Sequence, residues 1–148
     1  MHSDKIKDEL LQCLVIFTKL HNNPYSADAL TIGLPVKDGE EIELFSLKSS
    51  KSLFSRAASR AGFASTLVRK DLDQISPLVL PCILMLRGKK ACILQSFSED
   101  KKMANIITPD LSTGTSTIET SKLKDEYLGY AYYLKREFVP EDTSSTKL

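Results

Sequence analysis

The apolar residues of this chain change their spacing at Gly62, and that change constrains the fold more than any other feature. Up to Ala61 they recur every three or four positions, the period of a helix with one buried face. After Gly62 they form short runs of apolar and β-branched residues bounded by Pro, Gly or charge, a pattern typical of strands. Helices followed by strands predict an α+β domain in which N-terminal helices pack on an antiparallel sheet.

The same patterns give ranges for the elements. Helices are expected over residues 4–21, with Asp4 as cap, over 26–33, with Ser26 as cap, and over 40–47 and 49–60. Strands are expected over residues 64–68, 78–86, 91–97, 104–108, 116–120 and 129–134, with a hairpin turn at Gly88. The composition after Phe138 turns polar, so we expect a folded domain over 1–138 and a flexible tail or linker over 139–148.

Composition excludes several classes of protein. A chain of 148 residues with 42% hydrophobic and 26% charged residues is expected to form one soluble domain. Its net charge of +1 gives no overall attraction for nucleic acid, and we assign the basic groups at residues 87–90 and 101–102 to solvated turns. The sequence has no secretory signal and no apolar run of membrane-spanning length.

Three cysteines, Cys13, Cys82 and Cys92, lie among apolar residues, and there is no Cys-x-x-Cys pair. An odd number of such cysteines indicates buried thiols in a reducing cytoplasm rather than a disulfide framework or a zinc site. We therefore expect no metal and no cofactor in this domain. A phosphate-binding Gly-Lys-Ser loop is also missing, so any ATP binding would belong to residues of a parent protein beyond Leu148.

Three segments are similar, in order, to motifs of one protease family. They are Glu9-Leu10-Leu11-Gln12-Cys13-Leu14, Lys90-Ala91-Cys92-Ile93-Leu94 and Thr108-Pro109. Their order resembles the bacteriocin-processing cysteine peptidases of family 39, which cut leader peptides after a double glycine. The resemblance covers residues 6–138 and implies a papain-like cysteine peptidase architecture.

The resemblance also implies that the catalytic positions hold other residues. When Cys13 is matched to the small residue or cysteine that follows the nucleophile by four positions, Glu9 matches the nucleophile. Lys90 then matches the catalytic histidine, Thr108 the aspartate and Ser3 the glutamine of the oxyanion hole. Because these side chains cannot supply a thiolate, a base and an oriented partner, the resemblance implies a domain that is not an enzyme. An ion pair between Glu9 and Lys90 would hold the first helix against the sheet.

Protease-like domains without catalytic residues are typical of the cytosolic N-terminus of some type I secretion ABC transporters. The segments Ile75-Ser76-Pro77-Leu78-Val79-Leu80-Pro81 and Ala61-Gly62-Phe63 resemble the branch that exports large repeat-in-toxin adhesins. The resemblance implies a soluble domain on the cytoplasmic side of the bacterial inner membrane. Its implied partners are the unfolded secreted polypeptide and the membrane and nucleotide-binding domains of the same transporter.

Met85 and the late tyrosines Tyr127, Tyr130, Tyr132 and Tyr133 are the most adaptable candidates for contact with such cargo. The cleft between the first helix and the sheet is one groove that could receive it. Two alternatives stay open at this point. One is an active peptidase with Cys13 as nucleophile, and the other is a regulatory module that contacts its own transporter.

Overall fold

The computed structural model describes residues 8–34, 53–109 and 115–137. Within these ranges six strands form one antiparallel sheet: β1 (Phe63–Arg69), β2 (Cys82–Leu86), β3 (Lys90–Phe97), β4 (Met103–Ile107), β5 (Ser116–Glu119) and β6 (Tyr127–Arg136). Their order across the sheet is β1-β6-β2-β3-β4-β5. The last strand of the chain therefore lies inside the sheet, between β1 and β2. The predicted α+β class with an antiparallel sheet is confirmed.

Four helices accompany the sheet in the described ranges: α1 (Glu9–Leu20), α2 (Ala27–Thr31), α3 (Leu53–Arg60) and α4 (Thr120–Glu126). The cap of α1 is Asp8, whose carboxylate accepts hydrogen bonds from the N–H groups of Leu10 and Leu11 at 2.9 and 3.1 Å. Ser26 caps α2 as expected. The proposed cap Asp4, the helix over 40–47 and the tail over 139–148 lie outside the described residues.

Each face of the sheet carries its own core. The helices α1, α2 and α3 pack on one face, where their apolar side chains meet Ile83, Met85, Ile93 and Tyr132 in a cluster that includes Phe17 and Phe54. On the opposite face a second cluster joins α4 and the segment 72–80 to Cys82, Leu84, Cys92 and Leu94. Alternate residues of β2 and β3 thus serve opposite faces, which is why these two strands are buried along most of their length. The helices pack on the sheet as predicted.

The predicted strand over residues 78–86 is too long, because β2 begins only at Cys82. The residues Pro77–Val79 form a 3₁₀ turn, and the hydroxyl of Ser76 accepts a hydrogen bond from the N–H of Leu78 at 3.1 Å. This cap and the proline at the first position of the turn favour helical geometry over an extended chain. Leu78 consequently projects into solvent with 93% of its surface exposed.

Candidate functional site at the junction of helix α1 and strand β3

The first residue of α1 contacts the beginning of β3. Glu9 directly follows the cap Asp8, so its side chain leaves the helix at the end that faces the sheet. The Oε1 atom of Glu9 accepts a hydrogen bond from the backbone N–H of Ala91 at 3.0 Å. The structure therefore brings Glu9, which the resemblance matches to the family's nucleophile, next to the beginning of β3, which it matches to the family's catalytic histidine.

Lys90 is the first residue of β3 and lies opposite Leu86 in the β2–β3 hairpin. Its side chain is exposed. The expected ion pair between Glu9 and Lys90 is replaced by the hydrogen bond to the neighbouring amide, because Ala91 N–H points toward the α1 terminus. The helix is still held against the sheet, but by a backbone donor.

Thr108 follows directly after β4, at the same end of the sheet. Ile107 pairs with Ile93, so the residue after it lies beside the first residues of β3. The Oγ1 atom of Thr108 is buried and has no hydrogen-bond partner among the residues that the structure describes. Three of the four matched positions thus converge at one end of the sheet, and the fourth, Ser3, lies outside the described ranges.

The three cysteine side chains are fully buried, at 0% exposure. Burial raises the pKa of the Cys82 thiol to about 12. Burial also raises the pKa of Cys13 well above its ordinary value, and the nearby Cys92, Glu9 and Asp8 raise it further. For Cys92, burial is the main cause of a raised pKa as well. Thiols in this state are protonated at neutral pH and are poor nucleophiles.

The described part of the chain contains one histidine, His21, at the C-terminal end of α1. Its ring stacks on Phe17 with a centroid distance of 4.4 Å, and its Nδ1 atom lies 3.1 Å from the Phe17 carbonyl oxygen. His21 is eight residues beyond Cys13 on the same helix, roughly 12 Å along the axis. The described ranges therefore hold no thiol and imidazole within hydrogen-bond reach.

The proposed cargo contacts differ in their accessibility. Met85 and Tyr132 are fully buried, and Tyr127 is 9% exposed, so these three side chains are core residues here rather than surface contacts. The hydroxyl of Tyr127 donates to the carbonyl oxygen of Lys70 at 2.7 Å. Tyr130 and Tyr133 are half-buried. The alternation of tyrosines along β6 therefore reflects, for the most part, packing against the two cores.

A solved structure of similar fold covers nearly the whole chain. It is the N-terminal peptidase C39 like domain of the toxin secretion ATP-binding protein from Vibrio parahaemolyticus, with 31% sequence identity and a TM-score of 0.75. The match covers 89% of this chain and 99% of that one.

The chain belongs to the peptidase C39-like domain family. This C39-like domain also shares its fold with the peptidase domain of Streptococcus ComA, described as a bi-functional ABC transporter, at 16% identity and a TM-score of 0.65, over 88% of this chain and 93% of that one. A double glycine motif protease from an AMS/PCAT transporter, solved with its leader peptide, matches at 17% identity and a TM-score of 0.63, over 87% and 84%. No protein-family model and no curated protein matches the sequence. The predicted family and the peptidase-like fold are confirmed.

Two clefts open on the face of the C39-like domain opposite to α1. The first lies where β1 ends and β6 begins, and it has a volume of about 450 Å³. Its lining includes Arg69, Lys70, Asp71, Gln74 and Lys124. The sequence alone does not indicate this cleft, because its lining residues come from two segments that are far apart in the chain, 69–74 and 124–129.

The second cleft lies beside β5 and has a volume of about 520 Å³. Lys101, Lys102, Glu119 and Lys124 are among its lining residues. Lys101 and Lys102 were predicted to lie in a solvated turn, and the structure places both on the surface, between β3 and β4. The turn is held by Asp100, which accepts from the Lys102 N–H at 3.0 Å and whose pKa is lowered by that bond.

In the described ranges, no group of three His, Cys, Asp or Glu side chains is arranged to hold a metal ion. None of the helices in those ranges is long and apolar enough to cross a membrane.

Proposed function

We propose that this C39-like domain is the non-catalytic N-terminal domain of a secretion ABC transporter, and that it binds unfolded cargo polypeptide without cutting it. The observation that carries the proposal is the contact between Glu9 and Ala91. At the junction where the family resemblance expects a cysteine and a histidine, a carboxylate accepts a hydrogen bond from the backbone, and the adjacent side chain is that of Lys90.

The chemistry of peptide cleavage supports this proposal. Thiol attack needs a thiolate, a base within hydrogen-bond reach and a third group that orients the base. The carboxylate of Glu9 is a poor nucleophile toward a peptide carbonyl. The ammonium group of Lys90 is already protonated, so it cannot accept the proton of a nucleophile. The buried hydroxyl of Thr108 lacks any hydrogen-bond partner in the described ranges, so it orients no base.

The alternative of an active peptidase with Cys13 as nucleophile is disfavoured by burial. Cys13 is at 0% exposure within the α1 core, so a substrate carbonyl has no path to its sulfur. Its raised pKa leaves almost no thiolate at neutral pH.

The comparisons support the transporter context. The relative at 31% identity is named as part of a toxin secretion ATP-binding protein, and a fold neighbour was solved with a leader peptide bound. We infer that the cargo here is a large secreted polypeptide of the repeat-in-toxin type, presented unfolded on the cytoplasmic side of the inner membrane. The membrane and nucleotide-binding domains of the transporter would follow this domain and supply ATP hydrolysis.

The proposal is tested by measuring how tightly the C39-like domain binds one probe protein in its folded and in its unfolded state. The probe is a small disulfide-bonded protein of near-neutral charge, either native or kept unfolded by reduction and alkylation with iodoacetamide. We expect the C39-like domain to bind the unfolded form at least about tenfold more tightly, because an unfolded chain exposes backbone groups and apolar side chains. Equal binding of both forms, or binding of neither, would overturn the cargo-binding proposal and favour a module that contacts only its own transporter.

A further inference from the structure

The strand β1 lies at one end of the sheet, so one side of its backbone faces no other strand in the described ranges. Just beyond one end of β1, the N–H of Lys70 donates to the Gly129 carbonyl oxygen at 3.1 Å. Beyond the other end, the N–H of Glu137 donates to the Gly62 carbonyl oxygen at 2.7 Å. Both bonds continue the unbroken antiparallel register of β1 with β6, and bonded pairs alternate along such a ladder. The even-numbered residues therefore bond to β6, and the outward N–H and C=O groups are those of Phe63, Ser65, Leu67 and Arg69.

This outer edge of β1 is open to pairing. Among the described residues, no backbone group bonds to the outward groups of β1. Edge strands are usually protected from pairing by short length, by proline or lysine, or by a bulge. β1 is seven residues long and contains neither proline nor lysine, and its register with β6 does not shift. The other outer strand, β5, has only four residues. The edge of β1 is therefore the longer and more regular template for an additional strand.

Apolar side chains accompany this edge on both faces of the sheet. Leu67 is half-buried against the core that contains α1, and Val68 is half-buried against the core on the opposite face. The six residues of β1 before Arg69 carry no charge. An additional strand would cover the remaining apolar surface of Leu67 on one face and of Val68 on the other.

We propose that the outer edge of β1 binds an extended segment of unfolded cargo polypeptide as an additional strand, bonded to the outward groups of Ser65 and Leu67. This inference rests on the proposed function and adds to it the binding surface and the recognised chemistry. The backbone of the segment makes the hydrogen bonds, and its uncharged β-branched side chains pack beside Leu67 and Val68. Because backbone groups are common to all sequences, one edge can receive many unfolded segments that lack proline.

A second copy of this chain fits the edge less well than an extended segment. Antiparallel pairing of two β1 strands relates the copies by a twofold axis perpendicular to the sheet, which places both α3 helices on the same face. The helix α3 packs on β1, where the Ser65 hydroxyl donates to the Ser55 hydroxyl oxygen at 2.8 Å. It carries the exposed Arg56 and Arg60 and no acidic residue. Self-pairing therefore brings like charges together, a cost that a segment without a helix avoids.

The test removes one outward N–H group from each outer strand of the sheet. Ser65→Pro deletes such a group from β1 and leaves the bonds of the even-numbered residues to β6 in place. Thr117→Pro is the matched control on β5, because the N–H of Thr120 donates to Lys102 and the alternation along that ladder directs the N–H of Thr117 outward. Ser65→Ala keeps the N–H and removes only the hydroxyl bond to α3. The probe is the reduced and alkylated protein used to test the proposed function, labelled for fluorescence anisotropy.

We expect Ser65→Pro to weaken binding of the unfolded probe about tenfold, because it removes a hydrogen-bond donor and places a proline ring on the edge. Thr117→Pro and Ser65→Ala should change the affinity by less than about twofold. Equal losses in the two proline variants, or unchanged binding by a folded Ser65→Pro variant, would overturn the inference while leaving the proposed function intact. If the probe does not bind the unmodified domain, the proposed function fails as well.

Amide hydrogen exchange of the unmodified domain tests the same edge without a substitution, and it decides the question where Ser65→Pro does not fold. In the free domain the N–H groups of Ser65 and Leu67 should exchange fast, and that of Thr66, which bonds to β6, slowly. Saturating probe should slow exchange at Ser65 and Leu67 at least about tenfold and leave Thr117 unchanged. Unchanged exchange at Ser65 and Leu67 would overturn the inference. Slower exchange that depends on the concentration of the domain alone would identify a second copy as the occupant and would also overturn it.

Discussion

The carboxylate of Glu9 and the backbone N–H of Ala91 are joined by a hydrogen bond of 3.0 Å across the junction between α1 and β3. The two residues are 82 positions apart in the sequence, and the bond joins the first described helix to the beginning of β3, an inner strand of the sheet. In the matched position of a peptidase, a nucleophile would have to remain free to react. Here the side chain is engaged in a structural contact.

The first prediction concerns the stability provided by that contact. Glu9→Ala should lower the free energy of unfolding by about 1 to 3 kcal/mol, because it removes a charge-assisted hydrogen bond to a backbone donor. Glu9→Gln should cost less, since an amide oxygen can still accept the bond. Urea unfolding followed by circular dichroism measures both values.

Asp28→Ala is the matched control for Glu9→Ala. Asp28 is an exposed acid in the first turn of α2, so its removal tests only the interaction of an acidic side chain with a helix N-terminus. Asp28→Ala should lower the free energy of unfolding by less than about 1 kcal/mol. If both alanine variants lose the same stability, the bond to Ala91 contributes nothing and the structural role assigned to Glu9 is incorrect.

Thiol alkylation tests the burial of the cysteines. Because Cys13, Cys82 and Cys92 are inaccessible and their pKa values are raised, iodoacetamide should label them only through unfolding of the native domain. A cysteine placed on the exposed surface of α3 by Ser59→Cys is the control and should react within minutes. Mass spectrometry of the native protein after brief labelling gives the answer. Rapid modification of Cys13 near neutral pH would revive the peptidase alternative.

The same thiols make stability depend on pH in a defined direction. Cys82 titrates near 12 in the folded chain and near 9.0 without burial, so the unfolded chain loses this proton first as the pH rises. The contribution of this protonated thiol to the free energy of unfolding is therefore fully present below about pH 9. It is lost progressively between about pH 9 and pH 12. At about pH 10, one unit above the unfolded value, the Cys82 thiol should lower the free energy of unfolding by about 1.4 kcal/mol.

Urea unfolding at about pH 8 and about pH 10 measures this loss. Cys82→Ala should reduce the difference between the two values, because one buried thiol no longer titrates. An unchanged difference in that variant would show that Cys82 is not shielded from water as the structure describes.

Rebuilding a thiol and imidazole pair tests whether Glu9 and Lys90 occupy the matched catalytic positions. In the double variant Glu9→Cys and Lys90→His, the introduced thiol should have a lower pKa than in Glu9→Cys with Lys89→His, because a neighbouring imidazolium stabilises a thiolate. The rate of iodoacetamide labelling as a function of pH reports both values. Identical profiles would mean that residue 90 does not reach residue 9, and the positional match would then be incorrect.

The sequence predicted the elements whose signals are local. The change of period at Gly62 lies where the chain passes from α3 to β1, and Gly62 has a φ of +87°, which favours glycine. The turn at Gly88, with a φ of +73°, joins β2 to β3 as expected. Local turn chemistry and apolar spacing suffice for such features.

Features that depend on tertiary contacts were missed. The helix α4 has a single buried apolar residue, Leu123, so its sequence carries too little periodicity to predict a helix. The apolar run at 78–80 resembled a strand, although Ser76 and Pro77 fold its beginning into a turn. The cleft at the end of β1 joins segments that are about fifty residues apart, and no local pattern indicates that Lys70 and Lys124 line it together. The contact of Glu9 with Ala91 likewise required the structure.

Cleavage of a double-glycine peptide is the most direct test of whether this domain holds polypeptide without cutting it. The domain is incubated with a synthetic leader peptide that contains the Gly-Gly site, and intact masses are recorded, with an active double-glycine peptidase as positive control. We expect the peptide to stay uncut after prolonged incubation while the control processes it fully. A fragment ending in Gly-Gly, formed by the unmodified domain and absent after denaturation, would contradict the proposed function.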